Sequence, residues 1–163
     1  MTDETEKTIV SFLLDETGSM ESVRDKTISG FNEYVATLRT NETPTLLRLM
    51  TFNTEEFNVV YDFEEIQFVA DLTRESYRPR ELTNLYDAIA RLVHDTEDYL
   101  KGMSPQPRVM CTIMTDGEEN SSSEYNRAAI FKLTTDSERK TETRLRLASE
   151  RFCFLQRGRH PTH

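Results

Sequence analysis

The stretch TIVSFLLDETGSM, residues 8–20, decides the fold of this chain. Residues 8–14 are almost continuously apolar and rich in branched side chains, which is typical of a β-strand buried on both faces. The polar residues Asp15, Thr17 and Ser19 follow at once, and Gly18 among them permits a sharp turn. A strand of this kind belongs to a parallel sheet covered by helices, so we expect the polar turn at the carboxyl end of a central strand.

Further apolar runs predict the rest of the sheet. Residues 46–52 (LLRLMTF) and 108–114 (RVMCTIM) predict two more strands, and residues 57–61 (FNVVY) predict a weaker one. Because only the turn-like NTEE separates 46–52 from 57–61, this pair is expected to be an antiparallel hairpin. Apolar residues at helical spacing predict helices around residues 28–38 and 85–93. This order of elements predicts a three-layer α/β fold with a mostly parallel sheet and helices on both faces.

The last part of the chain is less regular. Residues 125–133 predict a helix, and residues 151–155 (RFCFL) predict a last strand. Since no repeat or linker is visible, we expect one domain over residues 8–156. An acidic tail, residues 1–7, precedes it, and a basic tail, residues 157–163, follows it and is expected to be disordered.

The composition of the 163 residues argues against several classes of protein. Lys and Arg number 20 against 29 Asp and Glu, giving a net charge of −9, whereas a general nucleic-acid binder needs clustered cations. Cys111 and Cys153 are too few for a disulfide framework and lack the spacing of a zinc site, so we expect buried thiols. No membrane span or secretion signal is visible, which predicts a cytoplasmic location without membrane partners.

Candidate chemistry lies at the carboxyl ends of the predicted strands, where parallel sheets bind ligands. Asp15, Thr17 and Ser19 follow the first strand, Asp116 follows residues 108–114, and Thr83 precedes the second helix. Each has an ordinary explanation when taken singly, because Asp, Ser and Thr cap helices and an Asp-Gly pair is a common turn. Together they bring two carboxylates and three hydroxyls to one sheet edge. Such hard oxygen donors suit Mg²⁺ and argue against zinc or copper.

This set of motifs resembles the von Willebrand factor type A (vWA) domain and its metal-ion-dependent adhesion site (MIDAS), in the style of small stand-alone bacterial or phage members. The resemblance rests on LLDETGSM at 13–20, LTNLYDAI at 82–89 and MTDGEENSS at 114–122, in the family's order and approximate spacing. It covers about residues 8–135 and implies a Rossmann-like fold with one short antiparallel strand. Family members continue past the fifth strand, so the resemblance also implies a C-terminally shortened chain.

The resemblance further implies that Asp15, Thr17 and Ser19 form the first metal loop, Thr83 the second and Asp116 the third. Such sites hold Mg²⁺, with Mn²⁺ or Ca²⁺ as alternatives, and leave one coordination position open. An Asp or Glu of a partner protein completes the octahedron, so the implied function is Mg²⁺-dependent protein binding without catalysis. By analogy at the level of the fold, the partner is an ATPase or a stress-response protein.

Two alternatives remain open. A strand that ends in Asp15, with a second Asp at another strand end, is also typical of Mg²⁺-dependent aspartyl phosphatases and phosphotransferases. That pattern requires an acid/base Asp at position 17, where this chain has a threonine. The other alternative is a regulatory domain whose metal loop is vestigial.

Overall fold

A computed structural model describes residues 7–53, 57–81, 84–103, 107–115, 132 and 144–149. This part of the chain forms a five-stranded sheet with helices on both faces. The strands are β1 (Thr8–Asp15), β2 (Thr45–Phe52), β3 (Phe57–Glu65), β4 (Arg108–Thr115) and β5 (Arg144–Ser149). The α-helices are α1 (Arg24–Arg39) and α2 (Leu85–Leu100), and short 3₁₀ helices span Gly18–Val23 and Ile66–Phe68.

The sheet has the order β3-β2-β1-β4-β5, with β1 at its centre. Strand β1 pairs in parallel with β2 and β4, and β5 pairs in parallel with β4. Strand β3 runs antiparallel to β2, as the short connection between them predicts. Every residue of β1 is buried, which agrees with its unbroken apolar run. The predicted α/β fold with a mostly parallel sheet is therefore confirmed.

The two faces of the sheet carry separate hydrophobic clusters. Because successive side chains of a strand point to opposite faces, Phe12 packs with α1 while Leu13 packs with α2. Ser11 also faces α2, since its Oγ lies 2.6 Å from Oγ1 of Thr96 on that helix. Asp15 is in phase with Ser11 and Leu13, so its side chain belongs to the face covered by α2.

Strand β3 departs from regular pairing opposite Arg48 of β2. The guanidinium of Arg48 is nearly buried and contacts Asp62 of β3 at 2.5 Å and Asp95 of α2 at 2.6 Å. Phe63 adopts a left-handed backbone (φ 55°) and its ring stacks on Tyr99 of α2 at 3.5 Å between centroids. The irregular pairing of β3 thus places an aromatic ring and an ion pair between this edge strand and α2.

Strand β5 is an element that the sequence analysis does not predict. It lies at the end of the segment before residues 151–155, where a last strand is expected. Several predicted segments lie outside the described residues. They are residues 151–155, the predicted helix at 125–133 except for residue 132, and both tails except for Lys7. Cys111 is a buried thiol, as expected, whereas Cys153 lies outside the described part. Within that part, no helix combines the length and apolar character needed to cross a bilayer.

Candidate functional site

Asp15, the last residue of β1, is fully buried and is held by hydroxyl and amide donors. Its Oδ1 accepts hydrogen bonds from the Thr17 amide at 2.9 Å and from Thr17 Oγ1 at 2.5 Å. Its Oδ2 accepts a hydrogen bond from Oγ1 of Thr115, the last residue of β4, at 2.7 Å. Both carboxylate oxygens are therefore fixed in direction, one by the loop after β1 and one by the neighbouring strand.

Thr17 and Ser19 continue this oxygen cluster. Thr17 is buried and starts the first 3₁₀ helix, but its side chain makes no capping hydrogen bond, so helix capping does not explain it. Its hydroxyl donates to Asp15 and lies 3.2 Å from Ser19 Oγ. Because a hydroxyl has one proton, Ser19 is the donor in the second contact. The loop after β1 thus gathers one carboxylate and two hydroxyls in consecutive contact.

The spacing and chemistry of these oxygens fit a small divalent cation. In an octahedron with metal–oxygen distances of about 2.0–2.1 Å, adjacent ligand oxygens lie about 2.8–3.0 Å apart. The 3.2 Å between Thr17 Oγ1 and Ser19 Oγ is close to that edge. All donors are hard oxygens, which suits Mg²⁺, Mn²⁺ or Ca²⁺. Among the described residues, no three His, Cys, Asp or Glu side chains form a metal cluster. Hydroxyl oxygens therefore make up much of the candidate ligand set.

The segment 77–81 crosses the end of β1 and is tied to the oxygen-rich loop; we call it the strap. Tyr77 is fully buried on the α1 face, and its phenol donates a hydrogen bond to the main-chain carbonyl of Asp15 at 2.5 Å. The Arg80 amide donates to the Glu16 carbonyl at 2.9 Å. The strap therefore fixes the backbone on which the candidate site is built.

A third bond joins the strap to Gly18, whose amide donates to the Glu81 carbonyl at 2.8 Å. A Cβ on Gly18 would lie 3.3 Å from that carbonyl oxygen, which is tighter than ordinary packing, so any larger residue here requires the Glu81 carbonyl to shift by a small amount. Glu81 has a left-handed backbone (φ 67°), although its side chain is exposed. This is an unfavourable conformation for a residue with a Cβ, held here by the strap's contacts.

The structure brings together part of the predicted site. Asp15, Thr17 and Ser19 lie in contact as described above, whereas Thr83 and Asp116 lie outside the described residues. Their roles as metal ligands stay predictions, as do those of the first three residues. Asp116 directly follows Thr115, whose hydroxyl contacts Asp15 at this edge of the sheet.

The sequence pattern does not predict two residues at the site, Thr115 and Tyr77. Thr115 ends a strand next to β1, so its contact with Asp15 follows once the register of β1 and β4 is known. Tyr77 lies in a loop without periodicity, and no local signal predicts where its phenol points.

A cavity of about 650 Å³ lies elsewhere, on the face covered by α1. Phe12, Tyr34 and Thr112 contribute to its lining. The Asp15 side chain faces α2, on the opposite side of the sheet. The candidate site is therefore an edge site between loops and not part of this cavity.

Comparisons with known proteins show what the chain is similar to. No protein-family model matches it, and no curated protein matches it. It is similar to the manganese-loaded TRAP protein of Plasmodium vivax, with a TM-score of 0.61 and 16% identity over 88% of this chain and 57% of that one. It is also similar to the pilus adhesin SpaC of Lactobacillus rhamnosus GG in its open conformation, with a TM-score of 0.63 and 10% identity over 88% of this chain and 24% of that one.

The chain thus spans little more than half of one of these proteins and about a quarter of the other. At such low identities the likeness shows the fold alone. The described sheet and helices have a vWA-like fold, as the three sequence motifs predict.

Proposed function

We propose that this chain is a protein-binding module that depends on a divalent cation. Asp15, Thr17, Ser19, Thr83 and Asp116 hold Mg²⁺ in this proposal, and an Asp or Glu side chain of the partner protein binds at the cation. The observation that carries the proposal is the convergence of the Asp15, Thr17 and Ser19 oxygens at the end of the central strand. That end is also where the chain order of the strands reverses, because β2 and β4 flank β1, and such points are common ligand sites.

The residues of the described part have distinct tasks in this proposal. The Asp15 carboxylate supplies negative charge toward the cation, while Thr115 and Tyr77 hold its side chain and its carbonyl in place. Thr17 and Ser19 supply neutral oxygens, so the set adds little charge. A cation bound by few carboxylates stays electrophilic and attracts an external carboxylate. That the similar TRAP protein was solved loaded with manganese supports the binding of a divalent cation by a protein of this fold.

Binding explains the site better than phosphoryl transfer. An aspartyl phosphotransferase needs a proton donor and acceptor at position 17, and Thr17 is instead an alcohol that donates a hydrogen bond to Asp15. An aliphatic alcohol is a poor general acid or base at neutral pH, so this contact serves to orient the carboxylate. A turnover of aryl phosphate that is lost in Asp15→Asn would contradict the binding proposal.

The partner in this proposal is a protein with an exposed acidic residue, such as an ATPase or a stress-response protein. The net charge of −9 offers no basis for a nucleic-acid partner. We also propose a cytoplasmic location, on the same sequence grounds as above. Fractionation of the host cells tests this location. Recovery of the protein in the membrane fraction or outside the cell would contradict it.

The test is a thermal melt in EDTA and in about 10 mM Mg²⁺. A ligand at 100 times its Kd stabilises the folded state by about 2.7 kcal/mol, and a weaker site by less. We expect an Mg²⁺-dependent rise in Tm for the wild type that is absent in Asp15→Ala and Asp116→Ala. Asp98→Ala is the matched control, because Asp98 is an exposed carboxylate near the far end of α2, paired with Lys101. A wild type that melts identically in both buffers contradicts the proposal.

A further inference from the structure

Asn84, the residue that precedes α2, has a buried polar atom that meets no partner among the described residues. Its side chain is only 8% exposed, yet its Oδ1 meets no hydrogen-bond donor in the described part of the chain. An Asn in this position usually caps the helix through that oxygen, but Asn84 makes no capping bond. A buried oxygen with no donor is unfavourable, so such atoms in native proteins call for a specific explanation.

The position of Asn84 follows from the stripe of α2 that faces the sheet. Asn84, Ala88, Leu92 and Thr96 recur at every fourth position, and all of them are buried. Thr96 contacts Ser11 of β1 at 2.6 Å, which fixes the level of the helix against that strand. With a rise of 1.5 Å per residue, Asn84 lies about 18 Å from Thr96 along the helix axis.

The candidate site lies at a similar distance from Ser11 along β1. At about 3.3 Å per residue, Asp15 lies about 13 Å from Ser11, and Thr17 would lie about 20 Å from it if the chain stayed extended. The helix runs antiparallel to β1, because it links β3 to the parallel strand β4. Asn84 therefore lies level with the segment from Asp15 to Thr17, on the face to which the Asp15 side chain belongs.

We propose that Asn84 supplies its Oδ1 as a further oxygen donor to the candidate cation site. This rests on the proposed function and adds a residue to its site. An amide oxygen is a hard donor that suits Mg²⁺, Mn²⁺ and Ca²⁺. It is also neutral, so it stabilises the cation without adding to the charge of Asp15. In this proposal, the Asn84 oxygen, which meets no donor in the described part of the chain, has the cation at the adjacent sheet edge as its electrostatic partner.

The test measures Mn²⁺ affinity and stability in EDTA for the same variants. Asn84→Leu keeps the approximate size of the side chain and removes the oxygen. We expect its Mn²⁺ affinity, measured by calorimetry, to fall about three- to tenfold, the range for one lost polar interaction. In EDTA its unfolding midpoint in urea should stay level or rise, because the unsatisfied oxygen is gone. An oxygen that merely supports the fold would give the opposite sign in EDTA.

Asn32→Leu is the matched control. Asn32 is a structural asparagine, since its Oδ1 accepts from the Leu72 amide at 2.7 Å and its Nδ2 donates to the Leu72 carbonyl at 3.1 Å. Its replacement should lower the stability in EDTA and leave the Mn²⁺ affinity of the folded protein unchanged. Asn84→Asp adds a decisive second variant, because a carboxylate at the same atom should tighten Mn²⁺ binding and destabilise the protein in EDTA.

The outcomes separate this inference from the proposed function. If the wild type binds Mn²⁺ in an Asp15-dependent way and neither Asn84 variant changes the affinity, the inference is wrong and the proposed function stands. The inference is also wrong if Asn84→Leu behaves like Asn32→Leu in EDTA. A wild type that binds no Mn²⁺ overturns both.

Discussion

Thr115→Val removes a single hydroxyl that holds the buried carboxylate of Asp15. Thr115 Oγ1 donates to Asp15 Oδ2 at 2.7 Å, and both residues are completely buried. Valine retains the branched shape of threonine on β4, so packing changes little. What the substitution removes is a charge-assisted hydrogen bond inside the protein, at an atom that water does not reach.

The expected loss of stability is larger than for an ordinary hydrogen bond. A buried charged acceptor that loses one of its donors costs about 2–3 kcal/mol, whereas a neutral pair contributes about 1 kcal/mol. For a domain of this size, about 2–3 kcal/mol lowers the Tm by about 5–10 °C. Thr112→Val is the matched control, because Thr112 is also a buried threonine of β4 but contacts the neutral Tyr34 hydroxyl at 3.2 Å.

Urea unfolding at neutral pH in EDTA measures both variants without any contribution from a bound cation. We expect Thr115→Val to lose at least twice as much unfolding free energy as Thr112→Val, with equal m-values. Equal losses would refute the reasoning, because they would mean that the Asp15 carboxylate gains nothing special from its neighbour. A Thr115→Val variant as stable as the wild type would refute it outright.

Three further variants probe the strap and are measured by the same urea titration. Tyr77→Phe removes the donor to the Asp15 carbonyl and should cost about 1–2 kcal/mol, whereas Tyr61→Phe, whose hydroxyl accepts from an exposed amide, should cost less; equal losses would contradict this. Gly18→Ala places a Cβ 3.3 Å from the Glu81 carbonyl and should cost about 1 kcal/mol or more, so an unchanged midpoint would show that the strap yields. Glu81→Gly relieves a left-handed backbone and should leave stability level or raise it by up to about 1 kcal/mol, and a loss would show that the Glu81 side chain itself matters.

The central sheet could be predicted because its signal is local. Strand β1 is buried on both faces, and a strand of that kind needs an unbroken apolar run, which residues 8–14 provide. The hairpin of β2 and β3 follows from a connection too short for a crossover. Strand β5 was harder, because RLRLAS alternates charged and apolar residues and has no continuous run. Its alternation is a strand pattern of period two, but the basic character of the surrounding segment obscures it.

The site could be predicted only in part, for a physical reason. Asp15, Thr17 and Ser19 follow one strand, so their meeting needs only a turn at Gly18. The contacts of Tyr77 depend on the path of a loop from one face of the sheet to the other. Such a path is set by tertiary packing, and neither periodicity nor turn chemistry records it.

Two unfavourable local features at this sheet edge support the proposal of a binding site there. Phe63 is the other non-glycine residue with a left-handed backbone in the described part. Its conformation is compensated by packing, because its ring stacks on Tyr99. The exposed side chain of Glu81 makes no comparable packing contact, and its left-handed backbone is held by the hydrogen bond from the Gly18 amide to its carbonyl, at the end of the loop that follows Asp15. Asn84 adds an unsatisfied buried oxygen three residues later. In the proposed function, a cation bound at this edge would give the Asn84 oxygen a partner and add a second role to the Asp15 carboxylate, whose oxygens already accept hydrogen bonds from Thr17 and Thr115.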